Sequence, residues 1–131
     1  MYHSSCGITE FHSTNDIEGC KGSIKYLSEE VAALILIKDK LPGSIYDYQL
    51  KSLQQQIKVI QIELLIFQKI ENNTIEPVKV LFRNKYDSLA RLLFETFDEG
   101  IEIGLVNEGT QLEAMDSIKE RWDIVMGLLK D

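Results

Sequence analysis

The sequence predicts an all-α protein, an antiparallel bundle of about four helices preceded by an irregular N-terminal arm. Three observations lead there. Large aliphatics are abundant and breakers scarce, with 16 Ile and 16 Leu against 2 Pro and 8 Gly in 131 residues. A long central stretch carries an apolar seam with heptad spacing. Helix-start signals of the Ser/Thr-x-x-acid type precede apolar runs. At 44% hydrophobic and 27% charged the chain has ordinary globular composition, fits one domain and can bury a core without metal or disulfide staples.

Residues 1–22 differ from the rest. They hold no Leu, three Gly, three Ser and two Thr and show no apolar period, so they read as an irregular arm with a short strand at Gly7–Phe11. The helical domain then spans 23–131. Its first helix is expected from Ser28, a good N-cap followed by Glu29 and Glu30 in the first turn, to Lys40. Leu41-Pro42-Gly43 ends it. The apolar run Val31–Ile37 also suits a strand, because a run this short has no decisive period.

The second helix is the clearest, from Ser44, with Asp47 completing a capping-box pattern, to Asn72. Tyr46, Leu50, Leu53, Ile57, Ile60, Leu64 and Phe67 recur with alternating steps of 4 and 3, the seam that lets one helix lie along another. A second stripe, Val59, Ile62, Ile66 and Ile70, runs beside its C-terminal half. The third helix starts near Pro77, where a missing N–H costs nothing. It buries Val78, Phe82, Tyr86, Leu89, Leu93 and Phe97, widened by Leu81 and Leu92, and, weakened by Gly100 and Gly104, should stop or bend between Phe97 and Val106. The fourth follows the capping box Thr110-x-x-Glu113 to Leu129, with Leu112, Met115, Ile118, Trp122, Val125 and Leu129 on its face.

Short connections make neighbouring helices antiparallel. A 29-residue second helix beside a 13-residue first one would overhang it, exposing Val59, Ile62, Ile66 and Ile70. Such a patch is normally covered, so these four residues are the expected interface with a second copy or a partner helix.

Charge narrows the partners. Twenty-one acids against 14 bases give −7, which disfavours nucleic acid and anionic membranes. No Lys or Arg lies between Arg91 and Lys119, while Glu95, Asp98, Glu99, Glu102, Glu108, Glu113 and Asp116 do. The patch Asp98, Glu99 and Glu102 suits a basic partner. No secretory leader or apolar run of membrane-spanning length is read, and a cytoplasmic location is expected.

Chemistry-bearing residues are few. His3, Cys6, His12 and Cys20 crowd into the first 20 positions and could fill a tetrahedral zinc shell, although their spacing matches no known finger. Arg83, Arg91 and Arg121 could hold an anionic, nucleotide-like molecule in a dimer crevice. Thr14-Asn15-Asp16-Ile17-Glu18-Gly19 resembles the Ser/Thr-x-x-x-Glu-Gly/Asn inhibitory motif of Fic AMP-transferases and their antitoxins. That resemblance implies a role for Glu18 against an arginine of a nucleotide site, and no Fic catalytic core accompanies it. The chain carries no phosphate loop, no inward Glu-x-x-His pair and no nucleophile with a base outside the arm, so it is not expected to be an enzyme. The leading expectation is a small acidic helical interaction protein that binds a partner stoichiometrically. Bacteriocin immunity proteins and phage anti-defence inhibitors are analogues in size and fold class. Sequestration of a small anion and zinc binding are the alternatives.

Overall fold

The computed structural model describes residues 9–105 and 108–130, with side chains described for 16–105 and 109–130. Four helices account for most of it: α1 (Thr9–Leu36), α2 (Gly43–Glu71), α3 (Lys79–Glu102) and α4 (Glu108–Leu128). Single 3-10 turns, Lys38–Lys40 and Glu76–Val78, lead into α2 and α3. Each helix packs on the next in the chain, α1 on α2 most extensively. The chain is an all-α helical bundle. No described helix is long and apolar enough to cross a membrane.

The largest departure from expectation is α1. Helix runs back to Thr9, so the irregular arm and the strand at Gly7–Phe11 are both corrected over their described residues. The reason is a seam that includes a cysteine: Ile17, Cys20, Ile24, Leu27, Val31 and Leu34 follow one another by steps of 3, 4, 3, 4 and 3. Ile17, Cys20, Leu27 and Leu34 are buried. Packing of that stripe on α2 outweighs the cost of about 1 kcal/mol that each of Gly19 and Gly22 imposes on a helix. Val31–Leu36 is therefore helix, not strand.

A 28-residue α1 beside a 29-residue α2 leaves no overhang. Val59, Ile62 and Ile66 are buried within the chain, and Ile70 packs half-buried against the same core. The two stripes of α2 serve two neighbours inside one chain, α1 and α3. They are not the interface with a second copy or a partner helix.

Helix ends differ in detail from the capping signals. Pro42 stands at the N-cap of α2 and no side chain caps it, so Ser44 and Asp47 form no capping box. Thr110 lies inside α4, which starts at Glu108. The C-termini of α2 and α3 both close as Schellman motifs. Asn73 (φ 58°) and Gly104 (φ 72°) take the left-handed position, and Thr74 N–H donates to Lys69 O (2.8 Å) as Leu105 N–H does to Gly100 O (3.0 Å). α3 ends at Glu102, between Phe97 and Val106 as expected, and Gly100 sits inside its last turn. It lies buried in the helix, against the ring of Tyr48. Leu81 and Leu92 are exposed and do not widen the buried stripe of α3, whose centre is Tyr86, Ala90, Leu93 and Phe97.

Candidate functional site

Two concave regions result, on different faces. One lies between α1, α2 and α4 and has a volume of about 180 Å³. Small residues of α1, Gly19, Cys20 and Ser23, leave the space, and Ile60, Glu63 and Phe67 of α2 and Arg121, Ile124 and Val125 of α4 close it. Its polar centre is Glu63, 1% exposed. Tyr86 Oη donates to Glu63 Oε2 at 2.9 Å, and Arg121 Nε donates to Oε1 at 3.2 Å and to Oε2 at 3.4 Å.

Helical spacing explains the pairing. Ile60, Glu63 and Phe67 share one face of α2 at i, i+3 and i+7, and Ile118, Arg121 and Val125 share one face of α4 at the same offsets. Burial raises the Glu63 carboxyl above the usual range, an effect that Arg121 and Tyr86 only partly offset. Burial, then the charge of Glu63, raises the Tyr86 phenol too. The Cys20 thiol is pushed up to about 12, again first by burial and then by Glu63. At neutral pH this centre holds a protonated thiol beside the Glu63–Arg121–Tyr86 hydrogen bonds, with the Asp16 carboxylate of the same cavity adding to the rise of Glu63 and Cys20, which is an arrangement for holding helices together. In a Cys6→Ser background, Cys20 is expected to react with a disulfide reagent at least about thirtyfold more slowly in the folded than in the unfolded chain, the lost thiolate fraction being only partly offset by the greater nucleophilicity of a more basic thiolate. Equal rates would mean that water reaches the thiol freely.

The second concavity lies between α3 and α4 and is larger, about 370 Å³. Phe94, Leu112, Met115 and Trp122 supply its apolar lining, and Arg91, Asp116 and Lys119 its polar edge. Trp122 is fixed there, its indole N–H donating to Asp87 Oδ1 at 2.9 Å. Asp87 also accepts from Arg91 Nε at 2.9 Å. All seven lining residues belong to these two helices, and Leu112 is 45% exposed. The groove thus has an aromatic wall fixed by a hydrogen bond and an exposed aliphatic rim.

The other sequence-predicted residues separate. Arg83 donates from Nη1 to Leu129 O at 2.9 Å and so closes the C-terminus of α4. Arg91 pairs with Asp87 one turn away on α3, and Arg121 with Glu63 of α2. The three arginines therefore occupy three different places. Glu99 turns toward α2, with Lys51 Nζ at 3.9 Å. Asp98 and Glu102, exposed and one turn apart, follow Phe94 along the groove side of α3. Of the zinc candidates, Cys20 is buried in the α1 seam, while His3, Cys6 and the side chain of His12 lie outside the described residues. Glu18, the acid of the Fic-like motif, is exposed on α1 with Lys21 Nζ at 3.7 Å.

Sequence reasoning missed Glu63, Tyr86 as a donor, and Asp87. A signal existed for the first: one acid set in the apolar stripe of α2 and one arginine set in the apolar stripe of α4. No protein-family model, no curated protein and no solved structure matches the chain.

Proposed function

We propose that the chain is a protein-binding module that acts by stoichiometric docking of a partner on its α3–α4 face, the mode of action of inhibitor and immunity-type proteins. The observation that carries this reading is the α3–α4 groove: an apolar floor of Phe94, Met115 and Trp122, a half-exposed Leu112 at its rim, and walls drawn from two helices alone. Sequestration of a small anion has less support. Arg91 and Arg121 each already hold a carboxylate, so an anion would have to displace Asp87 or the buried Glu63.

The test is site-specific photo-crosslinking in the cells that make the protein. With p-benzoylphenylalanine at Leu112, a discrete protein adduct is expected, suppressed by Met115→Asp. The same group at Glu29, exposed on α1, should give none. Absence of an adduct at Leu112, or equal labelling from both positions, would sink the reading.

A further inference from the structure

Resting on that reading of the α3–α4 groove, we infer that its occupant is a basic amphipathic helix of another protein. Shape argues for a helix. Both walls are helices whose backbone groups are bonded internally, so an extended peptide finds no strand edge to pair with. From Leu112 to Trp122 the groove runs about 15 Å, between two and three helical turns. Its 370 Å³ is more than twice the roughly 150 Å³ that accommodates a benzene. Two large apolar side chains, one turn apart on a docked helix, fill such a space.

Charge argues for a basic one. Asp116 lines the groove, and Asp98 and Glu102 continue the side of α3 that carries Arg91 and Phe94. Against them stand Lys119 and Arg91, and Arg91 is already held by Asp87 at 2.9 Å. The whole segment from 92 to 118 carries seven acids and no Lys or Arg. Lys or Arg beside the apolar anchors of an incoming helix would meet these carboxylates, gaining on-rate and selectivity. A second copy of this chain is the wrong occupant on the same ground. An isologous contact would lay this acidic patch on itself, so that Asp98, Glu102 and Asp116 would find as bases only the partner copy's Lys119 and its Arg91, already held by Asp87. Nucleic acid would bring phosphates to the same carboxylates.

The experiment uses the full chain and two synthetic helical peptides of about 14 residues, both with Leu at i, i+3/i+4 and i+7 and neither containing Trp. One has Lys on its flanks, the other Glu. Trp122, the single Trp, reports binding by its emission. The Lys-flanked peptide is expected to bind at least about tenfold more tightly than the Glu-flanked one. Asp98→Asn and Glu102→Gln should each weaken it up to about fivefold. Raising salt from about 0.05 to about 0.3 M should weaken it further, and Leu112→Asp should abolish the signal while leaving the thermal melt in place. Equal binding of both peptides, or preference for the Glu-flanked one, overturns the basic partner and leaves docking at the groove standing. Binding of neither peptide alongside a photo-adduct at Leu112 likewise overturns only the basic helix, whereas binding of neither without an adduct overturns both. A concentration-dependent dimer in sedimentation, lost on Leu112→Asp, would make the occupant a second copy and overturn the inference.

Discussion

Arg121→Met is expected to lower the unfolding free energy by about 3 kcal/mol near neutral pH, and the melting temperature by roughly 10 °C. The loss lies at the low end of the range for breaking a buried pair, because the Arg121 side chain is 39% exposed and itself partly solvated. What makes the loss large is the group left behind. The Glu63 side chain is only 2% exposed and would keep the Tyr86 hydroxyl as its one remaining described donor. Glu63→Gln should cost less, since the amide oxygen still accepts from Tyr86 and the chain loses one buried charge. The double variant Glu63→Leu, Arg121→Met should be more stable than Arg121→Met alone, because no uncompensated charge remains buried. A double variant weaker than either single one would show that the pair does not act as a unit.

The same pair sets a pH dependence with a definite sign. In the folded chain the Glu63 carboxyl lies above its ordinary value because burial penalises its charge. The native state therefore holds a proton at pH values where the unfolded chain, with a carboxyl near 4.3, has already lost it. The contribution of Glu63 to stability is fully present below about 4.3 and is lost as pH rises through the folded value. Arg121→Met raises that value further, so its deficit should be small in acid and grow toward neutrality. Urea melts followed by circular dichroism between about pH 4 and 7.5 read both slopes. A deficit that shrinks with rising pH would reverse the assignment of cause.

How far the sequence carries is visible in the helices themselves. α2 was legible to within a residue at each end because its apolar period runs unbroken, and period is the signal that tertiary structure most directly rewards. α1 was legible only from Ser28. Its N-terminal part buries Ile17 and Cys20 and half-buries Ile24 around Gly19 and Gly22, and glycine weighs against helix in any local reading while the compensating contacts come from α2, about forty residues away. That one missing half-helix misplaced the interface: without it Ile62 and Ile66 appear uncovered, and with it they are core. The groove was half legible. Period puts Leu112, Met115 and Trp122 on one face of α4, while Arg91 reads as an anion-binding candidate and Asp98 as part of an acidic patch, and only the packing of α3 against α4 puts them together. Glu63 and Arg121 stand out as single charges set in apolar stripes, yet only the packing of α2 on α4 tells an acid that meets an arginine of another helix from one that meets water.

Gly100→Ala and Gly22→Ala should move stability in opposite directions, although both add one methyl to a helix interior. At Gly22 an added Cβ would meet nothing within 4 Å, so the variant should gain the usual helix-propensity difference, about 0.5 to 1 kcal/mol. At Gly100 the Cβ would run into the ring and hydroxyl of Tyr48. That ring cannot simply swing aside. It is 6% exposed, and Gln111 of α4 donates from Nε2 to its hydroxyl at 3.1 Å. Overpacking of this kind costs about 1 to 3 kcal/mol, which exceeds the propensity gain, so Gly100→Ala should be net destabilising by about 1 to 2 kcal/mol in thermal or urea melts. The contact also ties α2, α3 and α4 together at one end of the bundle, so relief should come from the partner residue and not from the helix. Tyr48→Leu alone should be destabilising, because it empties the space over Gly100 and leaves Gln111 without its acceptor. Combined with Gly100→Ala it should cost less than the sum of the two, by about 1 kcal/mol of coupling or more. Strict additivity would mean that Tyr48 leaves the glycine freely, and that α3 could have carried any small residue at position 100.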